Sequence, residues 1–279
     1  TNIFEDKQVK GLTLDDQELA TFKIEQLGVL IHGKKVGDTT MHVVFADGSE
    51  VDYILVVLEE APLSAEQPTW GWTSWQYWYA HHGGCLRCYT QEPGGSCWSG
   101  CGATAWALQY GWWDCCDHRG YLDISCDLIQ GAGAPLYNNW AVRDCIWDLV
   151  DELGTWCSLG QGATNPWNMY KGYRWARDRG CGWSVSVKRT APCLAWTWNG
   201  PRDRAIDEVK NQHRPCIIGI GCASMHYCQA YGYKYRRYRT PGVTWARQRR
   251  LKCRMGWSGC SRQWKNAEGV WLGCRAIIY

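Results

Sequence analysis

Four of the chain's seventeen cysteines fall within CWSGCGATAWALQYGWWDCC, residues 97–116. Cys101 differs from its neighbours. It is followed by Gly, Ala, Thr and Ala, then by apolar residues at helical spacing. A cysteine at a helix N-terminus sits at the positive end of the helix dipole, which favours the thiolate. The first N–H groups of a helix have no partner within it, so the Cys101 N–H can help hold an oxyanion. Small flanking residues let a substrate backbone reach the sulfur. An acyl-transfer cysteine needs all of this. The same spacing also allows a disulfide from Cys101 to Cys97 or Cys116, and the motif alone leaves both readings open.

A partner for the thiol stands about 125 residues downstream, where RPCIIGIGCASMHYCQAYGYKY carries a single histidine, His226. A lone histidine is usually an ordinary core or surface residue. This one lies between a buried apolar run and a Tyr/Gly-rich run, where two strands meet. Its imidazole could face a thiol on a helix, take the thiol proton and later protonate a leaving amine.

The elements that must position these residues follow from periodicity. Helical spacing appears at 101–112, 139–153, 166–179 and 201–213. PCIIGIGC, HYCQAYGYKYRR, RRLKCRMGW and GVWLGCRAII read as strands. Helices come first and strands last, which predicts an α+β domain with a helical half and a sheet half. WGWTSWQYWYAHHGG, ahead of them, is too aromatic for an exposed loop and reads as a buried lead-in, with Trp72, Trp75 and Trp78 sharing one helical or irregular face.

The first 69 residues are different in kind. They contain no Cys, Trp or Arg and carry 5 Lys against 13 acids, a balance of −8; the rest of the chain carries 25 Lys and Arg against 14, a balance of +11. Strands are predicted at 9–14, 19–31, 40–46 and 51–58, with a hairpin turn at Asp47-Gly48. The expected organisation is a small all-β module at 1–60, an acidic Pro-containing linker at 61–69 whose acidic run begins at Glu59, and an α+β domain at 70–279. The pattern GKKVGDTTMHVVFADGSEVDYILVVLEE resembles small bacterial immunoglobulin-like domains. That implies a spacer or docking module; a propeptide or inhibitor role is the alternative.

Beyond residue 70 a second resemblance covers the rest of the chain. SWQYWYAHHGG, YTQEPGG, SGCGATAWALQYGW, PCIIGIG, HYCQAYGYKYRR, MGWSGCSRQW and VWLG occur in that order. Together they resemble secreted bacterial papain-like cysteine peptidases, related in layout to streptopain and the bacteriocin-processing peptidases. The resemblance implies a papain-like fold, peptide-bond hydrolysis through a thioester, a protein or peptide substrate, and no metal or organic cofactor. It assigns Cys101 as nucleophile, His226 as base, Gln91 as a candidate oxyanion donor and Trp257 as the shield of the histidine. Gln91 lies ten residues before Cys101, a longer gap than papain's. Such peptidases typically place Asn or Asp at the position held here by Arg254, to accept a hydrogen bond from the histidine. Guanidinium only donates, and a cation beside His226 would lower its pKa. A weakened enzyme, an acceptor from elsewhere such as Asn266, or an inactive relative serving adhesion or binding would each fit, as would a thiol acyl-transferase or amidase.

Other signals bound the alternatives. Seventeen cysteines fit an oxidising compartment, hence a secreted or cell-surface protein. The odd count leaves at least one thiol unbridged. Several cysteines stand where a buried strand would take any small apolar residue, so fewer than eight bridges are expected. Cys85 and Cys88 form a CxxC pair, for which a disulfide is favoured over a zinc site with Cys115 and Cys116. The basic aromatic run 231–254 is expected to form a long hairpin. Its charge makes an anionic cell-surface or cell-wall polymer a candidate partner; nucleic acid is not expected. Most of the twenty tryptophans should line core or cleft, with sugar stacking as the alternative. The start, TNIFEDKQVKG, lacks a signal-peptide pattern, as a processed or trimmed chain would. No run of eighteen apolar residues occurs, so no membrane span is expected.

Overall fold

Alternation of apolar and polar residues along the first sixty positions produces five strands: β1 (Val9–Leu14), β2 (Ala20–Glu25), β3 (Gly28–Gly33), β4 (Gly37–Phe45) and β5 (Glu50–Val57). The computed structural model describes residues 9–25, 28–57, 71–191, 199–221, 225–239, 246–257 and 260–279, and the chain divides into two units, 1–68 and 69–279. In the first unit β1, β4 and β5 form one antiparallel sheet and β2 and β3 another. Met41, Val43 and Phe45 of β4 point inward at period two and pack with Val9, Leu12, Leu14 and Leu19. Asp47-Gly48 makes the predicted turn: Gly48 has φ 81° and the Phe45 N–H donates to Ser49 O at 2.9 Å. The run 19–31, expected as one strand, is two paired antiparallel. Thirteen residues exceed the usual strand length.

The second unit is mixed helix and sheet. Its elements in chain order are β6 (Gly71–Trp72), β7 (Gln76–Tyr79), β8 (Pro93–Gly94), β9 (Cys97–Trp98), α1 (Cys101–His118), α2 (Trp140–Glu152), β10 (Trp156–Ser158), β11 (Gln161–Ala163), α3 (Tyr173–Asp178), β12 (Trp183–Arg189), α4 (Gly200–Lys210), β13 (Cys216–Ile220), β14 (His226–Arg239), β15 (Ala246–Arg254), β16 (Arg262–Asn266) and β17 (Val270–Ile278). The large sheet runs β12-β17-β13-β14-β15-β16, and β14 also pairs with β7 and β6. The expected order of helices then strands holds in outline, but β12 precedes α4. The lead-in is extended rather than helical. β7 and β6 continue the sheet edge where β13 stops, so Tyr77 lies opposite Lys234 and Trp72 opposite Tyr238.

α1 is the axis of this unit. Fifteen of its eighteen residues, Gly102 to Cys116, are buried, so it needs no polar face. Its polar atoms reach outward to the surrounding elements. Trp106 Nε1 donates to Met169 O at 2.9 Å, Tyr110 Oη to Gly172 O at 2.6 Å and Gln109 Nε2 to Pro215 O at 3.2 Å. From the sheet, Gln229 Nε2 donates to Leu108 O at 3.0 Å. Each of these satisfies a buried group that would otherwise destabilise the core by about 1–3 kcal/mol. The opposite sheet face packs Ile218, Cys228, Ala230, Leu251 and Cys253 against Ala205 and Val209 of α4. No described helix is long and apolar enough to cross a membrane.

Among the described residues four disulfides are formed: Cys85–Cys115, Cys88–Cys260, Cys97–Cys157 and Cys126–Cys181. The CxxC pair therefore diverges to two separate partners, and no described group of three or more His, Cys, Asp or Glu is placed to hold a metal. The described free thiols are Cys101, Cys116, Cys145, Cys216, Cys228, Cys253 and Cys274, all buried except Cys101. Cys193 and Cys222 lie outside the described residues.

Candidate active site

Cys101 opens α1 as its first residue, preceded by Gly100 at φ 88° with no side-chain cap. A Cβ at Gly100 would clash with the Gly162 carbonyl, so both backbone conformation and space demand glycine there. The sulfur is unbridged, and neither Cys97 nor Cys116 is joined to it. It accepts a hydrogen bond from the Tyr227 N–H at 3.4 Å. Helix head and the start of β14 are thereby brought together, with His226 one residue from that N–H. Among the described residues no hydrogen bond joins the sulfur directly to the ring.

His226 is buried, and its Nε2 lies 2.7 Å from Met255 O. A carbonyl only accepts, so Nε2 carries the proton. Burial lowers the ring's pKa to about 4, the Met255 bond opposes this, and nearby Lys265 adds to the lowering. A neutral ring with its one proton on Nε2 leaves Nδ1 as an open lone pair, the form a general base requires. Trp257 covers the ring at 4.5 Å between centroids.

Two sequence expectations change here. Arg254 does not face the histidine. It lies opposite Gln229 on the α1 side of the sheet, donates from Nη1 to Cys260 O at 3.4 Å and approaches the Tyr231 ring at 5.8 Å. Asn266 is no acceptor either: its side chain accepts from the Glu268 N–H at 3.1 Å. The acceptor is the backbone carbonyl of Met255, which residue type could not announce because every residue has one. The second change concerns charge. Burial raises the Cys101 pKa, outweighing the N–H groups of Tyr227, Cys101 and Gly102 that favour the thiolate. Burial thus works against the thiolate that the helix dipole favours. Iodoacetamide alkylation of Cys101 should therefore accelerate with pH up to and beyond 9, the ordinary thiol value. A plateau between roughly pH 5 and 8 would instead reveal a thiolate–imidazolium pair.

Gln91 stands on the facing loop, its N–H donating to Gly256 O at 3.1 Å. Its neighbours are pinned as well. Asn138 accepts from the Thr90 N–H at 2.9 Å and donates to Thr90 O at 2.9 Å. It also donates to the Glu92 carboxylate. Glu92 N–H donates to Ser99 Oγ at 3.0 Å, and Ser99 N–H returns to Glu92 O at 2.8 Å. Gln91 is thus tied to the loop before Cys101 and to the turn after Met255. Thr90, Gln91, Trp98, Gln161 and Trp257 line a cleft of about 320 Å³. Sequence reading missed Trp98 and Gln161; they meet because β9 and β11 pair in parallel at those two residues, and the Cys97–Cys157 bridge joins β9 to β10 in the same small sheet.

The four residues singled out by sequence are therefore disposed around one region. Cys101 and His226 flank the Tyr227 N–H, Trp257 lies on His226, and Gln91 and Trp257 share the cleft. Comparison with family models, with curated proteins and with solved structures finds no match to this chain.

Proposed function

We propose that residues 69–279 form a papain-like cysteine peptidase acting on protein or peptide substrates, preceded by an immunoglobulin-like spacer or docking module. The observation that carries this is the unbridged, partly exposed Cys101 thiol at the head of a buried helix, held by the N–H next to a neutral histidine whose Nδ1 is open. Nδ1 takes the thiol proton as the sulfur attacks the scissile carbonyl. The oxyanion is held by the Cys101 N–H and the Gln91 side chain. The imidazolium then protonates the leaving amine, and the C–N bond breaks to leave a thioester. Water, activated by the same ring, releases the acid. Met255 O keeps Nε2 oriented throughout, and Trp257 excludes water from that bond. Four disulfides fit a secreted or cell-surface setting.

A peptidyl epoxysuccinate, which needs both a nucleophile and a proton donor, tests this reading. Peptide mapping should find one adduct per chain, on Cys101 and on none of the six buried thiols among the described residues, and none in His226→Ala. An unmodified Cys101 after prolonged excess reagent would sink the proposal. The same chemistry serves a thiol acyl-transferase, which the ratio of hydrolysis to transfer onto an added amine separates.

A further inference from the structure

Between Glu208 and Glu268 the chain has thirteen Lys and Arg and no Asp or Glu. On the β14–β15 ribbon four of these charges share one face. Lys234 and Arg236 share a face of β14, Arg250 lies directly opposite Lys234, and Lys252 follows on the same side. This face is eight to ten residues beyond His226 along β14, roughly 25–35 Å at the rise of a strand, so it is separate from the candidate active site.

The cations do not simply point into solvent. Lys234 Nζ lies 4.6 Å from the Trp75 ring centroid and 4.3 Å from that of Trp264. The Arg236 guanidinium lies 4.6 Å from both Trp72 and Trp75. Arg250 lies 5.7 Å from Trp75, and Lys252 5.2 Å from Trp264. Three cations converge on one indole. The ring quadrupole attracts each of them, but their charges repel one another, and a bound anion relieves that repulsion. Arg236 is held in place by its Nε bond to Gln248 Oε1 at 2.9 Å, while Arg250 is exposed. Same-face cations two residues apart on a strand repeat at roughly 6.8 Å, and a cross-strand partner lies about 5 Å away. Guanidinium groups match phosphate in a planar, two-point geometry.

We propose that this face docks a linear phosphodiester polymer without bases, of the poly(glycerol phosphate) kind found in cell walls. The rings carry cations and so offer charge rather than stacking planes, which disfavours single-stranded nucleic acid, whose binding relies on base–aromatic stacking.

The test uses the full chain and poly(glycerol phosphate), with binding followed as salt rises from roughly 50 mM, since counterion release makes the affinity of charge-driven complexes fall steeply. The wild type should bind at low salt. Arg236→Gln/Arg250→Gln should flatten the slope of log K against log salt by about 1.4, the value for two phosphate contacts on a single strand. Arg236→Lys/Arg250→Lys should keep the slope. Should the Gln variant fail to fold, phenylglyoxal footprinting of the wild type reads the same surface: Arg236 and Arg250 should be protected several-fold by the polymer. No binding at low salt, an unchanged slope, unprotected arginines, or tighter binding of an oligothymidylate of equal charge would each overturn the proposal, the last in favour of nucleic acid.

Discussion

Cys101→Ala is expected to abolish peptide hydrolysis, a fall in kcat on the order of 10⁶-fold, as for the nucleophile of a serine peptidase. His226→Ala should cost nearly as much, and the double variant little more, because nucleophile and base act as one unit. The readout is kcat on a fluorogenic peptide together with the burst of acyl-enzyme. Residual hydrolysis within tenfold of wild type in Cys101→Ala would place the chemistry elsewhere. Arg254→Met provides the contrast. Its guanidinium is buried, its pKa lowered to about 10 by that burial, and it faces Cys260 O and Tyr231 rather than the histidine. Removing it should leave the acid limb of the kcat/KM profile where it is. A shift of that limb would return Arg254 to the histidine's surroundings. The acceptor is a main-chain carbonyl, so no single side-chain deletion removes it. Its position depends on the Met255 N–H, which donates to Ser261 O at 3.0 Å.

Removing the Cys88–Cys260 bridge should destabilise the second unit by about 5 kcal/mol. It closes a loop of 172 residues, and cross-linking so long a loop restricts the unfolded chain by about that amount on the entropy model. The Cys85–Cys115 bridge, spanning 30 residues, should be worth about 4 kcal/mol on the same model. Urea unfolding of Cys88→Ala/Cys260→Ala measures the difference; a shift under about 1 kcal/mol would contradict the entropy account. The bridge has a second consequence, because it ties the loop leading to Gln91 to the segment that follows Met255, Gly256 and Trp257. Its loss should lower kcat for the surviving folded fraction as well as stability. Loss of stability with kcat intact would show that the Gln91–Gly256 bond alone holds the cleft together.

Much of the fold was legible because its signals are local. The Cys101 helix, α2, α4 and the strands β13, β14 and β17 coincide in outline with runs of the matching period. The Asp47-Gly48 turn forms where Gly can take φ 81°. β12 and the small strands β8 to β11 were not seen. They are two to seven residues long, and only pairing with distant partners makes them strands. The helical run expected at 166–179 is a short 3-10 turn followed by α3, six residues long.

By itself the sequence determined which residues are candidates for chemistry and in what order: a thiol heading a helix, a histidine opening a strand, a glutamine ahead of them and a tryptophan after. Those follow from residue type and nearest neighbours. Tertiary structure decided the rest. It left Cys101 unbridged while pairing Cys85, Cys88 and Cys97 with residues up to 172 positions away. It turned Arg254 aside and supplied Met255 O in its place. It buried the histidine deeply enough to lower its pKa to about 4 and keep the ring neutral. Each of these depends on which groups face each other across the sheet and how much water reaches them. Desolvation and backbone hydrogen bonding arise from packing, and packing joins residues that the sequence keeps far apart.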